Sequence, residues 1–153
     1  MNPPTETQNV ALVRRFIAEV VNGGNLDVIA DTWAEDMTWN GGSLGTFEGR
    51  NAFTAFIAGN VSGAFEGMHL TVHDVIARDD KVVIRFTNGG TNAGAFMGQP
   101  ATNRHAEWLG IGIYRLRDGR ISEGWFAEDI LGMLQQLAGG TAPQRPQEVR
   151  VLQ

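Results

Sequence analysis

A carboxylate close to aromatic side chains is the most chemically suggestive feature of this chain. Asp129 follows Trp125 and Phe126 where a strand-like segment gives way to an amphipathic helical one. An Asp at such a junction favours two compatible interpretations. It can cap the helix by accepting hydrogen bonds from the first free N–H groups. It can also face an apolar cavity, where a carboxyl group is suited to proton transfer near neutral pH because its charged form is disfavoured. The adjacent Glu128 is predicted to be solvated.

Aromatic residues supply the second chemical signal. The chain has four tryptophans in 153 residues. Trp33 falls on a predicted helix, where core packing is expected. The other three, Trp39, Trp108 and Trp125, fall on predicted strands, where their rings can line a pocket for a flat apolar ligand.

Several classes of function are excluded by composition and motif. The net charge of −5 and the scattered arginines argue against a nucleic-acid partner. The absence of cysteine removes disulfides and thiolate chemistry. The spacing of His69, His73 and His105 matches no metal motif, and the glycine-rich segment 88–94 lacks the spacing of a nucleotide-binding loop. We therefore expect no metal and no cofactor.

The N-terminal segment resembles no signal peptide, and no apolar run is long enough to cross a bilayer. The expectation is a cytoplasmic protein with no membrane partner.

Hydrophobic periodicity predicts helices first and strands afterwards. A capping box at Thr5 and Gln8 starts a first helix that reaches Val20, and Asn25 caps a short second one. Helices are also predicted over 50–61 and 129–137. The predicted strands are 37–40, 68–76, 81–88, 105–116 and 120–126, the last two joined by a hairpin turn at Asp118-Gly119. Glycine-rich loops are predicted over 41–49 and 89–104.

This order of elements predicts an α+β fold. We expect a curved, mostly antiparallel sheet, about three N-terminal helices that cover it and a short C-terminal helix. Such an arrangement leaves room for a pocket between sheet and helices. Residues 5–138 are predicted to form one domain, and residues 139–153 a flexible tail.

Three segments of the chain resemble the SnoaL-like polyketide cyclases. They are Phe96-Met-Gly-Gln-Pro-Ala-Thr-Asn-Arg104, a version of the family's F-x-G-x-P-P-T-x-R pattern, the stretch Tyr114–Glu123, and Asp129 with Gln136-Leu137. The resemblance covers roughly residues 10–137. It implies the cone-shaped α+β barrel shared with ketosteroid isomerase and scytalone dehydratase, an apolar cavity without a cofactor, a role in antibiotic biosynthesis, and a homo-oligomer, either dimer or tetramer.

The resemblance also implies a reaction. Family cyclases close the last ring of an aromatic polyketide by an intramolecular aldol condensation, and their catalytic aspartate falls on Asp129. This residue would remove a proton next to a carbonyl group and then protonate the new alkoxide. The residues predicted to bind the hydrophobic substrate are Trp39, Asn40, Trp108, Gly110, Gly112, Trp125 and Phe126.

The chain departs from the family pattern at three positions. Gly110 and Gly112 stand where cyclases carry a Gln and a His that assist the aspartate. Trp39 stands where an Asn is expected, although Asn40 is next to it. Because of these departures, a related hydroxylation-type tailoring role and a non-catalytic binder of hydrophobic molecules both stay open beside cyclisation. Epoxide hydrolysis is disfavoured because the predicted strand 81–88 has no Arg-x-Asp pair.

Overall fold

The computed structural model describes residues 5–140, which form one curved sheet covered on one face by the N-terminal helices. The helices are α1 (Glu6–Phe16), α2 (Ile29–Thr32), α3 (Arg50–Ile57) and α4 (Ile130–Leu137). The strands are β1 (Trp33–Asn40), β2 (Thr46–Glu48), β3 (Phe65–Arg78), β4 (Lys81–Asn92), β5 (His105–Arg117) and β6 (Arg120–Glu128). The helices within this part of the chain are too short or too polar to span a membrane.

The sheet has the strand order β2-β1-β6-β5-β4-β3. Its neighbouring strands are antiparallel except for β1 and β6, which pair in parallel. The register shifts within the β1–β6, β3–β4 and β5–β6 pairs, and such irregularities bend a sheet. The predicted α+β class with a mostly antiparallel curved sheet is confirmed, and the sheet is open, with β2 and β3 at its edges.

The local signals at element ends are confirmed. Thr5 and Gln8 form a reciprocal capping box at the start of α1. Asn25 accepts a hydrogen bond from the Asp27 N–H at 3.2 Å. The turn between β5 and β6 has positive φ at both Asp118 (51°) and Gly119 (77°), as a two-residue hairpin turn requires.

Some element bounds differ from the prediction. Trp33 begins β1 instead of ending a helix, because it pairs with Ile121 of β6 and is completely buried. Tertiary packing overrides local periodicity at this point. Strands β3 and β4 are longer than predicted, and β2 lies inside the predicted loop 41–49. Of the predicted tail, residues 141–153 lie outside the described part of the chain.

Helices α1 and α3 each continue into a wider π-helical turn, over Ile17–Val21 and Ala58–Ser62. Below them, the aromatic centre of the core forms around Trp33. Its ring lies 5.3 Å from Phe16, 4.7 Å from Phe53 and 6.0 Å from Tyr114, measured between ring centroids. These contacts fasten the helices to the inner face of the sheet.

The segment between β4 and β5 is held by one buried side chain, that of Asn92. Its amide N–H groups donate to the carbonyl oxygens of Ala64 and Gly94, and its Oδ1 accepts from the N–H of Thr102 at 2.9 Å. Arg104 then donates to the Leu137 carbonyl oxygen at 3.0 Å. The segment that resembles the family pattern therefore has a structural role, since it closes the loop and caps the end of α4.

Helix α4 is joined to β5 by the buried side chain of Gln136. Its Oε1 accepts from the Glu107 N–H at 2.9 Å, and its Nε2 donates to the Glu107 carbonyl oxygen at 2.7 Å. Strand β6 pairs with β5 only from Gly110 onwards. Gln136 thus replaces the missing strand partner at this end of β5.

We predict that Gln136→Leu destabilises the fold, because it leaves both backbone groups of Glu107 without this partner in a partly buried place. The expected loss in the free energy of unfolding is about 1–3 kcal/mol, measured by urea denaturation. The matched control is Gln135→Leu on the exposed side of the same helix. Its effect should stay within about 0.5 kcal/mol. Equal losses for the two variants would contradict the bridging role of Gln136.

Candidate functional site

An apolar cavity of about 70 Å³ lies between the sheet and the helices. Half of its lining residues are aromatic, and the polar ones are few. The lining side chains that carry a polar atom are Trp39, Asn60, Asn88, Trp108, Tyr114 and Glu128. Both π-helical turns contribute to the wall, through Val21 from the first and Asn60 and Val61 from the second.

Glu128 supplies the carboxyl group of this cavity. It is the last residue of β6, and its Oε1 accepts a hydrogen bond from the indole Nε1–H of Trp108 at 2.9 Å. The side-chain amide of Asn88 is close enough to act as a second donor. The carboxyl group is therefore oriented by two N–H donors.

These three side chains come from adjacent strands. Asn88 on β4 is paired with Trp108 on β5, and Glu128 on β6 is paired with Gly110, two residues further along β5. The Oδ1 of Asn88 accepts a hydrogen bond from the Gly89 N–H at 3.1 Å. Because this contact occupies the amide oxygen, the amide N–H groups are free to face the carboxyl group.

Burial raises the pKa of Glu128, and the hydrogen bonds from Trp108 and Asn88 oppose that rise. Removal from water disfavours the carboxylate, whereas the N–H donors stabilise it. A carboxyl group with this balance is suited to both giving and taking a proton at moderate pH.

The prediction that Glu128 is solvated is wrong. Successive side chains of a strand point to opposite faces, so Glu128 shares the inner face with Phe126, and both line the cavity. The spacing of two positions between Phe126 and Glu128 was the feature of the sequence that could have placed Glu128 on the inner face. Asn88 and Phe86, on a predicted strand, also line the cavity and were missed because nothing in the sequence showed which face of β4 is inside.

Asp129 follows the strand and is the N-cap of α4. Its carboxylate accepts a hydrogen bond from the Gly132 N–H at 2.9 Å, and its own N–H donates to the Leu109 carbonyl oxygen. The helix-capping interpretation is confirmed. Asp129 is not among the residues that line the cavity, and its catalytic role stays a prediction.

The predicted aromatic binding residues divide between the two faces of the sheet. Trp39, Trp108 and Phe126 line the cavity. Trp125 does not: it lies on the outer face, where the Arg115 guanidinium stands 5.4 Å from its ring centroid. A role for Trp125 in the wall of this cavity is therefore not supported by its position.

Asn40 is turned towards the backbone. Its side-chain Nδ2 donates to the Gly124 carbonyl oxygen at 3.1 Å, which ties β1 to β6, and it does not line the cavity. Its predicted contact with substrate remains untested.

Gly110 and Gly112 face inwards, but neighbouring side chains cover them. A Cβ atom at Gly110 would collide with the Phe86 ring and lie 2.9 Å from the Glu128 Cγ, and one at Gly112 would collide with the Phe126 ring. The two glycines therefore make room for the groups that line the cavity, and neither lines it directly. Their substrate contacts remain a prediction.

The histidines lie apart from this site and are exposed. The Nε2 of His73 lies 2.8 Å from the Thr87 hydroxyl, and His105 lies 3.7 Å from the Glu107 carboxylate. Within residues 5–140, no three His, Asp or Glu side chains are grouped as a metal site would need.

We predict that Glu128→Gln raises the free energy of unfolding relative to wild type, and that this gain is larger at pH 7 than at pH 4. Because the pKa of Glu128 is raised on folding, the unfolded carboxyl group ionises first, at about pH 4.3. Wild type therefore loses stability as the pH rises from there through the folded pKa. Glutamine does not titrate, so the difference in the free energy of unfolding between the variant and wild type should grow as the pH rises through that range. Urea denaturation at both pH values measures it.

The control is Glu66→Gln, on the exposed surface of β3. Its stability should follow that of wild type with pH. If Glu128→Gln also shows no growth in relative stability between pH 4 and pH 7, the carboxyl group is not held in an apolar environment.

Comparisons with known proteins identify relatives of this chain and of its fold. The profile of the SnoaL-like polyketide cyclase family matches residues 11–137. A structure from Jannaschia sp. CCS1, described as that of a candidate SnoaL-like polyketide cyclase, is 25% identical with a TM-score of 0.82 and covers 92% of this chain and 99% of its own. TsrD from Streptomyces laurentii is 25% identical with a TM-score of 0.77, over 88% of this chain and 98% of its own.

IdmH from Streptomyces antibioticus, described as a candidate polyketide cyclase, is 27% identical with a TM-score of 0.70 and covers 86% of this chain and 99% of its own. No curated relative matches by sequence. Since the family profile extends over most of the chain, from α1 to the end of α4, the protein belongs to the SnoaL-like polyketide cyclase family.

Proposed function

We propose that this protein is a cofactor-independent acid/base enzyme acting on an apolar, polyketide-like molecule. The observation that carries the proposal is the carboxyl group of Glu128, which lines an apolar cavity and is held there by N–H donors. Membership of a family of polyketide cyclases supports aldol ring closure as the reaction.

In this mechanism the carboxylate form of Glu128 takes a proton from the carbon next to a substrate carbonyl group. The C–H electron pair forms the enolate, whose carbon attacks a second carbonyl group of the same molecule and forms the new C–C bond. Glu128 then returns its proton to the resulting alkoxide, so that no oxidant or reductant is needed. Trp108 and Asn88 orient the carboxyl group throughout.

The lining of the cavity favours an uncharged substrate. Within residues 5–140, the lining residues include neither Lys, Arg nor His. An anionic ligand would lose its hydration without gaining a counter-ion, which is costly. A neutral polyketone loses much less, and its rings gain contacts with the aromatic wall.

The size of the cavity adds a requirement. A protein cavity of about 150 Å³ holds one benzene, whereas this one measures about 70 Å³. A polycyclic substrate therefore needs the wall to widen. Side chains from the two π-helical turns form part of that wall, and π-helical turns are frequent at functional sites.

The proposal differs from the family-based prediction in its acid/base residue. The resemblance assigns the proton transfer to Asp129, whereas burial and hydrogen bonding favour Glu128. A hydroxylation-type tailoring role and non-catalytic binding of hydrophobic molecules are the competing functions. A binder would take up the same ligands but would move no proton, so proton transfer itself has to be measured.

We predict that the protein exchanges the α-protons of 2-indanone, a flat neutral ketone, for deuterium in D₂O. Proton NMR follows the loss of the α-CH₂ signal. Glu128→Gln keeps the shape of the side chain but cannot accept the proton, so the enzyme-catalysed rate should fall by about 10²–10⁴-fold. Asp129→Asn is the matched control, since Asn caps a helix about as well as Asp, and its rate should remain close to that of wild type.

The opposite pattern, with activity lost in Asp129→Asn and kept in Glu128→Gln, would restore Asp129 as the acid/base. Binding of 2-indanone without exchange above the buffer rate in wild type would favour the non-catalytic binder.

A homo-oligomer is also part of the proposal. Leu109 and Ile111 are 63% and 50% exposed on the outer face of β5, where apolar side chains gain from contact with a second copy. We predict that Leu109→Glu lowers the average molecular mass in solution relative to wild type, as measured by sedimentation. An unchanged mass would mean that the contact between copies lies elsewhere or that no such contact exists.

A further inference from the structure

Tyr114 is a polar side chain of the cavity lining that the proposed mechanism leaves unused. It lies on the inner face of β5, is 1% exposed and lines the cavity. Aromatic rings surround its own ring, with Phe126 at 5.2 Å, Trp33 at 6.0 Å and Phe16 at 6.4 Å between centroids. Its position in the cone is therefore fixed by packing.

The hydroxyl group of Tyr114 has no hydrogen-bond partner among residues 5–140. No side-chain hydrogen bond in that part of the chain involves it, and the core holds another unpartnered polar atom, the Trp33 Nε1. A buried polar group without a partner costs about 1–3 kcal/mol, and a Phe would fill the same space without that cost. The difference is that Tyr114 lines the cavity, whereas Trp33 does not.

The hydroxyl group is also kept protonated. Burial raises the pKa of Tyr114, and the nearby charge of Glu128 raises it further. A phenol in this state donates a hydrogen bond over the whole physiological pH range. Tyr114 and Glu128 also line the same cavity.

We propose that the Tyr114 hydroxyl donates a hydrogen bond to the carbonyl oxygen of the substrate from which Glu128 takes the α-proton. This assignment rests on the proposed function. When the proton moves to the Glu128 carboxylate, the C–H electron pair becomes the enolate double bond and the carbonyl π electrons move to oxygen. The hydrogen bond from Tyr114 strengthens as negative charge grows on that oxygen, which lowers the barrier.

Tyr114 is the only tyrosine of the chain, so tyrosine labelled with ¹³C at Cζ gives one NMR signal that reports on this hydroxyl. The probe is cyclopentanone, whose single small ring makes the least demand on the cavity, and the reference is cyclopentane. The Cζ signal should shift much more with the ketone than with the hydrocarbon. The response should persist in Glu128→Gln, because the donor is unchanged there.

The matched variant is Tyr114→Phe, which removes only the oxygen atom. It should lower the affinity for cyclopentanone by about fivefold to tenfold and leave that for cyclopentane unchanged, both measured by ligand-observed NMR. In the 2-indanone assay it should lower kcat by about 10²–10³-fold with a smaller effect on KM. Its thermal stability should equal or exceed that of wild type, because an unsatisfied group has been removed.

Each of three results would overturn the proposal. The first is a Cζ shift that is equal with ketone and hydrocarbon, and the second is no uptake of cyclopentanone by wild type. The third is a ketone preference that is undiminished in Tyr114→Phe. These tests of Tyr114 are independent of the test of the proposed function. If exchange activity survives in Glu128→Gln while the Cζ response is retained, Tyr114 binds the carbonyl group and the acid/base assignment fails alone.

Discussion

The hydrogen-bonded register between β5 and β6 sets the arrangement of the site. It places Gly110 opposite Glu128 and Gly112 opposite Phe126. Each glycine leaves the space that a larger side chain of the neighbouring strand fills. Since strand side chains alternate between faces, this register brings Phe126 and Glu128 into the cavity and turns Trp125 outwards. A side chain at either glycine would collide with the groups that form the wall.

The same arrangement explains the electrostatic character of the cavity. The carboxyl group of Glu128 is largely removed from water, and the N–H donors of Trp108 and Asn88 partly offset that loss. The pKa of Tyr114 is raised by burial and by the same carboxyl group. An acid and a hydrogen-bond donor thus share one apolar space, whose lining has no positively charged side chain from residues 5–140. This combination suits neutral carbonyl compounds and proton transfer.

The segments that resemble the family pattern serve mainly to build the cone. Thr102 is bound to Asn92, Arg104 caps α4, and Gln136 continues the pairing of β5 beyond the end of β6. Phe96 and Tyr114 are the residues of these segments that line the cavity. Most of the matching residues therefore have a role in the fold, whereas Glu128, the proposed acid/base, lies outside these segments.

The sequence by itself determined the fold class, the capping signals at Thr5 and Asp129, and the hairpin turn at Asp118, because these depend on neighbouring residues and on hydrophobic periodicity. It also drew attention to the end of β6, where the structure places a carboxyl group in the cavity lining. Only the tertiary structure decided that Glu128 lines the cavity while Asp129 caps a helix. That choice depends on which strand face is covered and on partners about 20 and 40 positions away, Trp108 and Asn88, which the pairing of β4, β5 and β6 brings together.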